Sequence, residues 1–101
     1  MESNKPILEA IALKTCLSAV YNKTRFRLAP YILYTRHDEL YIDGVALERD
    51  GMPPREVKLG TFKVAGLSEV AVDPTPFRAD PVYNPYEPRY EGTTLFALAR
   101  D

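Results

Sequence analysis

The chain has 101 residues, with 13 basic against 14 acidic side chains and a net charge of −1 when His37 is neutral. That length fits one domain and excludes two, and it excludes large catalytic scaffolds such as an eight-fold β/α barrel of roughly 250 residues. A hydrophobic share of 46% argues against wholesale disorder, and the single cysteine and single histidine exclude both an intrachain disulfide and a structural zinc cluster within one chain.

The first eight residues carry Glu2 and Lys5 and lack a long apolar core, so they do not read as a signal peptide. No stretch approaches the roughly 20 apolar residues of a membrane span, and a soluble, cytoplasmic protein is expected. A short helix comes first. Ser3 or Asn4 caps it, Pro6 falls in its first turn, and Ile7, Ala10, Ile11 and Lys14 share one side, with an end near Lys14 or Thr15.

The period then changes. Residues 16–21 read as a strand, residues 22–24 as a turn, and residues 25–34 as a second strand whose first half alternates Arg25 and Arg27 outward with Phe26 and Leu28 inward. Pro30 marks a bend or an edge position. Residues 36–39 form a polar hairpin tip, residues 40–47 a third strand with Gly44 as a candidate bulge, and residues 50–54 a strong turn. Short β segments follow at residues 55–59, 61–64 and 67–72. Five prolines lie between residue 74 and the end, interleaved with Tyr83, Tyr86 and Tyr90. That stretch is expected to be extended rather than regular sheet or helix. It ends in the apolar run Leu95, Phe96, Ala97 and Leu98, which is expected to dock on this chain or on a partner. The fold class is therefore mainly β with one helix, a small twisted sheet closing into a barrel of about five strands over residues 1–77, followed by a Pro/Tyr-rich extension over residues 78–101.

Several of these residues, in this order, resemble a known family. A helix with Ile7, Leu8, Ala10 and Ile11 leads into a strand ending at Tyr21. A basic strand follows with Arg27, Pro30 and Leu33, then Leu40-Tyr41-Ile42 with Gly44, then Arg55 and Leu59. The pattern, over residues 7–77, is similar to the WYL domain, with Leu40-Tyr41-Ile42 in place of its Trp-Tyr-Leu triplet. Thr61, before Phe62, stands where that family places a second arginine. The resemblance implies an SH3-like or Sm-like barrel with a helix packed on it. It also implies a non-enzymatic regulatory role in bacterial transcription control or phage defence, through binding of nucleotides or nucleic acids. Tyr41 and Arg55 match the family's polar binding positions.

Charge is polarised along the chain. No acidic residue falls between Ala10 and His37, whereas Asp38, Glu39, Asp43, Glu48 and Asp50 follow against Arg49 alone. Arg25, Arg27 and Tyr31 share a strand face that suits two phosphates of a single strand with a stacked base. The competing reading is a solvated face with each arginine paired to an acid on the next strand, Asp43 being one candidate. Tyr41 is either a core or edge tyrosine or a ligand contact. Arg55, after the rigid Pro53-Pro54, is either a surface ion pair or a bidentate anion clamp. His37 reads as an exposed loop histidine and Cys16 as a small buried hydrophobe. There is no glycine-rich phosphate loop and no nucleophile–base arrangement, so neither an enzyme nor a cofactor is expected. The tail reads as a cover for the barrel's open edge, as a recognition peptide, or as a segment exchanged in a homodimer.

Overall fold

A computed structural model describes residues 4–98. Helix α1 (Lys5–Leu13) precedes strands β1 (Thr15–Tyr21), β2 (Thr24–Arg36), β3 (Glu39–Arg49), β4 (Leu59–Lys63), β5 (Leu67–Pro76) and β6 (Thr94–Ala97). All pairings are antiparallel, in the order β4-β3-β2-β1-β5, with β6 on β2. The fold is thus mainly β with one helix. Among the described residues no pairing joins β4 to β5.

Local chemistry accounts for most element ends. Pro6 sits in the first turn of α1, and Lys14 closes the helix in the left-handed region at φ 56°, its N–H turned back to the carbonyls of Ala10 and Ile11. Lys14 therefore lies beyond the helix, not on its apolar side; that side is Ile7, Ala10 and Ile11. The β1–β2 and β2–β3 hairpins turn on Asn22-Lys23 and His37-Asp38, all four with positive φ, the requirement of the tight turn that matches strand twist.

Strand β2 is the hub. Its first half pairs with β1, its second half with β6, and nearly its whole length with β3. Pro30 has no N–H to give, and the register of β2 against β3 shifts between Pro30 and Ile32. The extra residue lets Tyr31 and Ile32, adjacent in sequence, both pack beneath the C-terminal segment, while Leu33 returns to the helix side. The bulge therefore lies on β2 and not at Gly44. Gly44 faces Pro30 across the pair, and a Cβ there would stand 2.2 Å from the Ala29 carbonyl oxygen, so the glycine permits a close backbone approach.

Two other expectations change. Residues 55–58 are an exposed loop, because Pro53 and Pro54 remove two donors ahead of them, and one strand, Leu59–Lys63, replaces the two segments expected there. In the other direction, β5 continues through Pro74 to Pro76 instead of stopping near Val72. It pairs only with β1, so it is an edge where missing N–H groups are tolerated.

The sheet is covered on both faces. On one, Ile7, Ala10 and Ile11 of α1 pack on Leu17, Ala19, Leu28, Leu33, Ile42 and Phe62. On the other, Phe77, Tyr83, Tyr90 and Leu98 lie over Ala29, Tyr31, Tyr34 and Val45. Among the described residues no helix is long and apolar enough to cross a membrane.

Candidate functional site

The expected basic strand face carries its own counter-charges. Arg27 places Nε 3.2 Å from Asp73 Oδ2, and its Nη1 is bonded to Glu48 Oε2. Arg25 reaches Ser18 Oγ at 3.2 Å and Glu69 Oε1 at 3.3 Å, with half its side chain in solvent. Hydrogen bonds from Thr75, reinforced by Arg27, hold the Asp73 carboxyl below its usual range. The β3 partner of Arg27 is Glu48, opposite it in register, and not Asp43. Cys16 lies beside this cluster, fully buried, its thiol pushed up to about 11 by burial and then by Asp73, which leaves it protonated and unreactive at neutral pH.

Arg25 and Arg27 are together on β2, but Tyr41 is at the other end of the hairpin. It faces Tyr34, nine positions beyond Arg25, a run of roughly 30 Å at about 3.3 Å per residue. Its ring stacks on Tyr34 with centroids 6.1 Å apart. Arg55 extends from the exposed β3–β4 loop and makes no ion pair or hydrogen bond among the described residues. His37 is exposed at its hairpin tip.

The polar centre that sequence reasoning missed is Asp43. Its carboxylate is fully buried. Tyr34 Oη donates to Oδ1 at 2.7 Å, and Tyr90 Oη donates to Oδ2 at 2.5 Å. Arg89 Nη2 reaches the same Oδ2 at 3.1 Å and donates to Tyr90 Oη at 3.2 Å. Burial, then the adjacent carboxylate, pushes the Tyr34 hydroxyl up to about 12 and the Tyr90 hydroxyl higher still. A charge inside the apolar run 40–47 is a sign of a buried polar group that needs partners. Nothing local says that two of those partners lie at residues 89 and 90.

The segment after β5 is shaped by consecutive turns. Asp80 Oδ1 accepts the Val82 N–H at 2.9 Å and its carbonyl accepts from Tyr83 at 3.0 Å. Asn84 repeats both bonds with Tyr86 and Glu87, at 2.9 and 3.2 Å. Asp80-Pro81 and Asn84-Pro85 are thus tandem side-chain-capped turns repeating at four residues, and they bring round tyrosines 83 and 86. A 3-10 turn at Pro88–Tyr90 then delivers Tyr90 to Asp43.

These turns form one wall of an open cleft of about 870 Å³, a size typical of small-molecule sites. Phe77, Tyr83 and Tyr86 supply its rings, Lys14 and Arg78 its cations, and Ile32 with Ala97 part of its apolar lining. Tyr31 braces the wall from below: its ring lies 5.5 Å from that of Phe77 and 5.1 Å from that of Tyr83, and its hydroxyl accepts the Asp80 N–H at 3.1 Å. Arg78 is exposed and has no ion-pair partner among the described residues. No cluster of His, Cys, Asp and Glu among the described residues could hold a metal ion. Comparison with protein families, with curated proteins and with solved structures finds no match to this chain.

Proposed function

We propose that this chain is a non-catalytic binding module similar to WYL domains, and that its ligand is a nucleotide or a short single-stranded nucleic acid held in the cleft beside the C-terminal segment. The observation that carries the reading is the composition of that cleft. Three aromatic rings line it for a base, and Arg78, exposed and without an ion-pair partner among the described residues, offers charge for phosphate. The cleft is a better candidate than a shared site of Arg25, Arg27, Tyr41 and Arg55. Both strand arginines already hold carboxylates, which a phosphate would have to displace. An SH3-like or Sm-like barrel is the finer reading of the fold. The strand order and the 3-10 turn at Val64–Gly66 between β4 and β5 support it. A cytoplasmic regulatory role goes with the same family reading.

The test is titration of the full chain with AMP and with a short oligothymidylate at several salt concentrations. Saturable binding that weakens as salt rises, and that Arg78→Ala weakens about tenfold, is the expected result. No saturable binding to either probe at low salt overturns the reading.

A second reading, a protein-interaction or homodimer module built on the tail, is favoured by β6. That strand pairs with β2 alone and exposes Leu95 and Phe96, at 57% and 37%. Light scattering distinguishes the two: a dimer dispersed by Phe96→Glu supports this reading, and a monomer at all concentrations removes it.

A further inference from the structure

The C-terminal segment is anchored to the sheet at its two ends, and between them it touches the sheet through Asp80 and Tyr83 on Tyr31. At the start, the Phe77 N–H bonds the Lys14 carbonyl at 3.0 Å. At the far end, Tyr90 and Arg89 meet Asp43, the Thr35 N–H bonds the Thr93 carbonyl at 3.0 Å, and the Leu98 N–H bonds the Tyr31 carbonyl at 2.9 Å. Between the anchors, Pro81, Val82, Asn84, Pro85 and Tyr86 are all exposed. The cleft wall belongs to this middle part. Asp43, Tyr34, Arg89 and Tyr90 do not line the cleft. The remainder of the fold has its own core, under α1, in which the tail contributes only the partly buried Leu98.

We propose that Asp43 is the catch of a strap: residues 77–98 leave the sheet as a unit when the contacts of Tyr90 and Arg89 break, and the cleft exists only while the catch is closed. Asp43 then acts on the ligand through the position of the strap, as a positioning residue that touches no ligand atom. Three features support this. Beside the backbone pairing of β6 with β2, one carboxylate gathers the strap's own side-chain attachment, from Tyr90 and Arg89. The strap brings no charged side chain into the core under α1. Its middle consists of turns closed by hydrogen bonds within the strap, which survive when the strap lifts and only the Asp80 N–H loses its Tyr31 acceptor. The inference deepens the assignment of the cleft as a ligand site and rests on it. A ligand that needs the wall in place binds the closed state only, and it must shift the opening equilibrium by its own binding free energy.

Hydrogen exchange of the full chain tests the strap and the coupling separately. The Thr35 and Leu98 amides report the strap, and the amides of Leu17 and Leu28 report the body. In the unliganded protein the strap amides are expected to exchange faster than the body amides. Tyr90→Phe, which keeps the ring and removes the hydroxyl with its bonds to Asp43 and Arg89, is expected to speed strap exchange about tenfold, with body amides still slower than strap amides. AMP at about nine times its dissociation constant is expected to slow strap exchange about tenfold. Strap amides as slow as body amides in the unliganded wild-type protein make it one cooperative unit and overturn the strap. Unchanged strap exchange in Tyr90→Phe overturns the catch. AMP that binds yet leaves the strap rate unaltered overturns the coupling. A wild-type chain that binds no AMP removes the nucleotide reading and the coupling with it, while the gap between strap and body exchange in the unliganded protein still decides the strap and Tyr90→Phe the catch. Asp43→Asn is the companion variant, and Tyr34→Phe replaces it should the asparagine chain fail to fold.

Discussion

Tyr90 donates a 2.5 Å hydrogen bond to Asp43, a residue 47 positions earlier in the chain and wholly withdrawn from solvent. The contact ties the tail of the molecule to the middle of its sheet. Among the described residues, Tyr34, Tyr90 and Arg89 take the place of water around the Asp43 carboxylate. A hydrogen bond to a charged group contributes about 1.5–3 kcal/mol. Tyr90→Phe is expected to lower the stability by that amount in urea denaturation, and a loss below about 0.5 kcal/mol would show the bond to be idle.

The same tyrosines set an alkaline limit. Their folded-state values lie above the ordinary 10, near 12 for Tyr34 and higher for Tyr90. An unfolded chain releases these protons first, so the stabilisation is complete below about pH 10 and is lost as pH rises toward the folded values. Stability measured by denaturant titration is expected to fall steadily from pH 10 to 12. The fall is expected to be shallower in Tyr34→Phe, and an equal slope in wild type and variant would contradict the assignment.

Gly44 provides a backbone test. A methyl group there meets the Ala29 carbonyl oxygen at 2.2 Å, and neither strand can give way without disturbing the β2–β3 pairing beside Pro30. Gly44→Ala is expected to cost at least the 1–3 kcal/mol typical of overpacking, read as a drop in Tm of roughly 4–8 °C per kcal/mol. A melting temperature equal to wild type would show that the approach is looser than described.

Cys16 provides a chemical one. Burial and the neighbouring Asp73 raise its thiol to about 11, so the native protein is expected to resist alkylation by iodoacetamide at pH 8 and to react promptly in denaturant. Rapid alkylation of the native chain would contradict the packing of β1 against β2 and β5.

Much of the framework is legible where the signals are local. Pro6 with Ile7, Ala10 and Ile11 marks α1, and the alternation of Arg25, Phe26, Arg27 and Leu28 gives the correct faces of β2. What escapes sequence reasoning depends on distant partners. Pro74 and Pro76 speak against a strand until β5 is known to be an edge. The pairing of β6 to β2 depends on the gap that β1 leaves beyond Leu28. Arg27 was readable as ion-paired, but its partners, Glu48 and Asp73, depend on register. Asp43 is the sharpest case. Its burial follows from the apolar strand around it, while its neutralisation comes from a tail whose composition suggests only an extended cover.

The most direct measurement of the functional proposal is an NMR titration of the labelled full chain with AMP. The proposal predicts shift changes at the amides of Phe77, Arg78, Tyr83, Tyr86 and Thr94, which border the cleft. Changes confined to Arg25, Arg27, Tyr41 or Arg55, or a spectrum indifferent to AMP, would contradict it.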